Sequence, residues 1–111
     1  MSIASHINVS EIEHGALLRL LRVACESTGK GRRVAEFLLA WWDAEGCGGV
    51  ELTSTWGLDV DLAEDVIIVF ALAVRSNSYP DTLGYGEEFQ RIRHVWRPAS
   101  APKASHADPA R

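Results

Sequence analysis

Four histidines, His6, His14, His94 and His106, and two cysteines, Cys25 and Cys47, are the residues with metal-binding or nucleophilic chemistry. No two histidines stand four apart on one helical face, and no Cys/His cluster has the spacing that tetrahedral zinc needs. Asp59-x-Asp61 resembles the start of a calcium loop. It lacks that loop's glycine, and Phe70 stands where the closing glutamate belongs. Cys47 is the one candidate nucleophile, but it falls just past a helix C-terminus, where the helix dipole raises a thiol pKa. His14 shares an angle with Leu21 and Cys25 on its helix, as a half-buried structural histidine would. Asp43 and Glu45 lie about 200° apart on a helix, so they converge on one substrate only if the helix has already ended. These residues imply no catalytic site, no metal and no cofactor.

Two charged patterns remain. Gly29-Lys30-Gly31-Arg32-Arg33 precedes a helix start and could receive an anion. It is not the nucleotide-binding loop, which needs a longer spacing between glycines and a Ser or Thr after the Lys. The net charge is −4, and no Lys or Arg occurs between Arg33 and Arg75. That span carries Glu36, Asp43, Glu45, Glu51, Asp59, Asp61, Glu64 and Asp65. It would repel phosphate and attract a basic protein surface. The segment Leu52 to Phe70 has helix-turn-helix-like spacing, yet its second helix would present Asp59, Asp61, Glu64 and Asp65 to the DNA backbone. Nucleic acid is therefore disfavoured as the main partner. Its remaining route is a basic surface of Arg32, Arg33, Arg91, Arg93 and Arg97.

The elements that position these residues are helical. Arg32 to Glu45 is the central one: Val34, Ala35, Phe37, Leu38, Leu39, Trp41 and Trp42 cover roughly 220° of its surface. A surface helix needs only about 100°, so this helix must have neighbours on more than one side. Ser10-Glu11-Ile12-Glu13 is a capping box opening a helix that runs to about Ser27. The short Thr28–Gly31 link makes the two an antiparallel hairpin. Gly46 and Gly48-Gly49 end the central helix, and Leu52–Leu58 forms a short turn carrying Trp56. A third helix, about Leu62 to Ser76, is capped by Asp59 or Asp61 and is apolar nearly all round after Asp65. Tyr79 to Tyr85 is a structured turn. A fourth helix, Glu87 to about Arg97, carries Phe89, Ile92 and Trp96 on one stripe. The expected fold is an all-α, single-domain bundle of four main helices around the Trp-rich helix, spanning residues 10–97. Residues 1–9 are expected to be flexible, and 98–111 to be a disordered Pro/Ala/Ser tail.

The longest apolar run, Val66 to Val74, is too short to span a bilayer, and the N-terminus does not read as a signal peptide. Two cysteines without a disulfide framework fit a reduced compartment, so a cytoplasmic location is expected, with no membrane partner.

Arg32-Arg33-Val34-Ala35, Leu39-Ala40-Trp41-Trp42-Asp43-Ala44-Glu45 with Gly48-Gly49, Leu52-Thr53 with Trp56, and Tyr79-Pro80-Asp81-Thr82-Leu83-Gly84-Tyr85 are the strings that carry a family resemblance. Together they resemble a family of short proteins of unknown function typical of proteobacterial plasmids, integrative elements and prophages. The resemblance covers roughly Leu17 to Pro98. It implies a mobile-DNA context and no assigned activity. By analogy with small acidic proteins of such elements, it points to an accessory binder, including an inhibitor of a host defence complex. The residues themselves favour a non-catalytic module that docks on a basic or apolar protein surface, including a second copy of itself. The expected contacts are Trp56, Asp59, Asp61, Glu64, Asp65 and Tyr79, since partly exposed aromatics are common interface anchors.

Overall fold

The computed structural model describes residues 8–47, 49 and 52–96, without the side chains of 47 and 54. The expected tail, most of the N-terminal segment, the Cys47 thiol, His6, His106 and Arg97 lie outside these residues. Among those described, four α-helices and one 3-10 turn carry the secondary structure: α1 (Glu11–Ala24), α2 (Gly29–Cys47), the turn (Leu52–Gly57), α3 (Val60–Ser76) and α4 (Gly86–Trp96).

The capping box at the start of α1 is present in both directions. The Glu13 amide donates to Ser10 Oγ at 3.1 Å and the Ser10 amide donates to Glu13 Oε1 at 2.9 Å. The helix ends at Ala24, earlier than expected, because the Cys25 amide turns back to the Arg22 carbonyl and the Glu26 amide to the Val23 carbonyl. Thr28 then caps α2, its hydroxyl accepting from the Gly31 amide at 2.8 Å. Three residues expected in the link, Gly29, Lys30 and Gly31, are thus the first turn of α2. Gly31 is buried, and a Cβ there would collide with the Val23 and Glu26 carbonyls. Only a bare backbone lets α2 start this close to the end of α1.

Regular α2 geometry breaks at Asp43, whose backbone is extended (φ −162°, ψ 77°). The break comes before the glycines expected to end the helix. Asp43 caps a last short turn instead, its Oδ1 accepting from the Gly46 amide at 3.1 Å. α3 begins two residues earlier than expected, with Asp59 in the N-cap position. The Asp59 side chain makes no capping bond and points to Lys30 Nζ at 3.5 Å.

α1 and α2 share the centre. α1 lies between α2 and α3, α2 lies between α1 and α4, and α2 only grazes α3. The core joins Leu17, Leu20 and Leu21 of α1 to Val34, Leu38, Leu39 and Trp42 of α2, Leu62 and Val69 of α3, and Phe89 and Ile92 of α4. Trp42 is fully buried. Trp41, about 100° away, meets the edge of Phe89 at a T-shaped 5.8 Å and donates through Nε1 to Ser78 O at 2.9 Å. Trp96 donates to Ala24 O at 2.6 Å, tying the end of α4 to the α1–α2 corner. Three of the four Trp are thus committed to packing. Pro80 is fully buried in the turn before α4, where the Leu83 and Tyr85 amides both donate to its carbonyl.

Candidate interaction surface

α3 is held from one side. Arg19 of α1 clasps Asp65 with two 2.9 Å bonds, Nε to Oδ2 and Nη2 to Oδ1, and Asp65 is itself buried. Near the other end of α3, Arg75 Nη2 donates to Glu13 Oε1 at 2.6 Å and to Asn8 O at 3.1 Å. Pairing 19 with 65 and 13 with 75 makes α1 and α3 antiparallel. The bonds to Asp65, and then its negative charge, push the Arg19 pKa up. Burial works against ionised Glu13, yet the Ser10 amide and the Arg75 guanidinium outweigh it and hold its carboxyl below the ordinary glutamate value.

Among the described residues, nothing covers the opposite side of α3. Val60 is 71% exposed, Ile67 67%, Phe70 60% and Val74 65%. With Ala63 these residues recur at intervals of three and four, the spacing of a seam on one helical face. The seam occupies a stripe about 80° wide. Glu64 and Arg75 stand along one edge of it, acid toward the N-terminal end and base toward the C-terminal end.

The expected contact residues divide between the two sides. Asp59, Asp61 and Glu64 are exposed at the start of α3, and Trp56 stands 80% exposed on the preceding 3-10 turn. Tyr79 is 47% exposed, beside a shallow hollow also lined by Trp41, Ala73, Asn77 and Ser78. Asp65 does not belong with them. It sits on the buried side, about 100° from Glu64, and is engaged by Arg19 inside the fold. The exposed seam was missed as a site because an all-round apolar helix reads as a buried one. Spacing alone could not mark it, because a helix apolar nearly all round shows three-four spacing on every face.

The four described residues of the expected basic surface, Arg32, Arg33, Arg91 and Arg93, do not converge. Arg32 pairs with Glu36 at 3.5 Å at the mouth of a cleft that reaches Ala35, Leu39 and Trp96. Arg33 turns the other way, its guanidinium lying against Gly57 of the 3-10 turn. Arg91 and Arg93 point about 200° apart on α4. His14 is more exposed than expected, and its Nδ1 meets the Tyr85 hydroxyl at 2.7 Å. Burial pushes the Tyr85 pKa up, with the negative charges of Glu88 and Glu13 adding to it. Asp43 and Glu45 no longer share a regular helix, yet no third His, Cys, Asp or Glu joins them, and no such group of three occurs among the described residues.

No described helix is long and apolar enough to cross a membrane. No curated protein and no solved structure matches the chain. A family model covers residues 14–97, which include α1 from its second turn, α2, α3, the Tyr79–Tyr85 turn and α4. The chain belongs to that family, DUF7673, a family of unknown function.

Proposed function

We propose that this chain is a small non-catalytic protein-interaction module that docks through the outer face of α3. One observation carries the reading: a seam of large apolar side chains, each more than half exposed, on a helix whose other side is fully engaged by the core. Contiguous exposed apolar surface bordered by charge marks a binding face in a protein of this size. Asp59, Asp61 and Glu64 at its N-terminal end give it a negative rim, and Trp56 offers an amphipathic anchor beside them. The matching partner is a protein surface with an apolar centre and basic margin. The motif resemblance adds a context of bacterial mobile DNA, in which such a module acts as an accessory protein, including an inhibitor that covers a basic groove on a defence complex. A cytoplasmic setting goes with that reading.

The test is affinity capture from host lysate, with and without nuclease, using the wild-type chain, Ile67→Glu, the triple variant Asp59→Lys, Asp61→Lys, Glu64→Lys, and Arg32→Glu with Arg33→Glu. The reading requires a nuclease-resistant partner, a host protein or a second, differently tagged copy of the chain, that is lost with the first two variants and kept with the third. Capture that disappears with nuclease or with the Arg variant, and survives Ile67→Glu, would transfer the function to a nucleic-acid contact.

A further inference from the structure

Resting on the reading of α3 as a docking face, we propose that its occupant is a second copy of this chain, with two α3 helices packed antiparallel about a two-fold axis. The seam is self-complementary in that orientation. Val60, Ala63, Ile67, Phe70 and Val74 follow three-four spacing, and an antiparallel pairing centred between Ile67 and Phe70 sets unlike positions opposite each other. Ile67 then faces Phe70 of the second copy, and Val74 faces Ala63, so a large side chain meets a small one in the outer layers. These side chains are 60–71% exposed, apart from the half-buried Ala63, so they are free to take part.

Charge decides the orientation. A two-fold perpendicular to the helices brings the same edge of each α3 together with its direction reversed. Glu64 of one copy then lies within about two residues, or 3 Å along the axis, of the level of Arg75 of the other. Two such contacts form by symmetry. Arg75 is 49% exposed at its side chain while holding Glu13 through Nη2, and guanidinium has further donors to offer. A parallel pair would instead bring the two acidic α3 starts to the same end, which is repulsive, and would place Glu64 and Arg75 of the two copies on opposite edges of the seam, so that they could not pair. The antiparallel order also opposes the two helix dipoles.

The experiment is sedimentation of the full chain over a concentration series, with helical content followed by circular dichroism. The wild type should show a monomer–dimer equilibrium, and Ile67→Glu should raise the dissociation constant by about tenfold or more without losing helix. Glu64→Arg should weaken the dimer. Arg75→Glu, built with Glu13→Gln so that no like charge faces it within the monomer, should do the same. An equimolar mixture of these two variants should recover a heterodimer, because both cross-contacts again join opposite charges, one with its signs exchanged and one as in the wild type. A wild-type chain that stays monomeric into the millimolar range overturns the dimer. Capture of another protein that Ile67→Glu still abolishes would leave the docking face standing in that case. A dimer indifferent to Ile67→Glu overturns the proposal by placing self-association elsewhere. Failure of the mixture to recover overturns the antiparallel register.

Discussion

Phe70 and Phe89 are the same side chain in opposite situations, and truncating each to Ala separates a free face from a packed one. Phe89 is fully buried between Trp41 and Trp42, with ring centroids at 5.8 and 6.4 Å. Phe89→Ala removes a whole buried ring and leaves a cavity, at a cost of about 3–5 kcal/mol. That is a large part of the roughly 5–15 kcal/mol available to a domain of this size. Phe70 is 60% exposed, so about two fifths of its surface is covered. Two fifths of the ~2 kcal/mol for a fully buried ring is about 1 kcal/mol, and alanine's better helix propensity returns about 0.5. Phe70→Ala should therefore cost less than about 1 kcal/mol. The assay is urea unfolding at micromolar concentration, followed by circular dichroism. With a slope near 2 kcal/mol per molar, Phe89→Ala should lower the midpoint by about 2 M and Phe70→Ala by under about 0.5 M. Equal shifts in dilute solution would mean that Phe70 is packed inside the monomer, and the docking face would not exist.

Neighbouring carboxylates should behave as differently. Asp65→Ala should destabilise the chain because it unlocks the α1–α3 clasp, whereas Glu64→Ala should leave the midpoint nearly unchanged; comparable losses would refute the inward placement of Asp65. Glu13 has a folded pKa below its ordinary value, so its contribution is present above the unfolded value of about 4.3 and is lost as pH falls through the lower folded one. Stability should drop over that acid window and drop less in Glu13→Gln; identical profiles would show that the Ser10 and Arg75 contacts do not persist in solution. Tyr85 has its pKa raised by burial, so its stabilising share is complete below about pH 10 and fades as pH rises through the folded value. Tyrosinate absorbance should include a component titrating later than free tyrosine, and Tyr85→Phe should abolish it.

Local rules made much of the helical plan legible. Ser10 and Glu13 announced a helix start because both partners of the box lie within four residues, and the wide apolar arc from Val34 to Trp42 required flanking neighbours. Distances set by tertiary contact were not legible in the same way. Thr28 and Gly31 read as a loop because nothing local shows that the α1 carbonyls press against Gly31 and leave room for no side chain. Asp65 read as part of an acidic surface because its partner, Arg19, is 46 positions away. The outer face of α3 read as core because composition reports how apolar a helix is and not how many neighbours it has. Only the placement of α1, α2 and α4 shows that Ile67, Phe70 and Val74 are left uncovered.

The most direct measurement is hydroxyl-radical footprinting of the wild-type chain at low and high concentration, and with any captured partner added. The dilute chain should be oxidised at Phe70, Ile67 and Val74 and spared at Leu72 and Val69, with protection of the first three appearing as association proceeds. Oxidation of the seam that stays unchanged on association, or protection that appears at Arg32, Arg91 and Arg93 instead, would contradict α3 as the docking face.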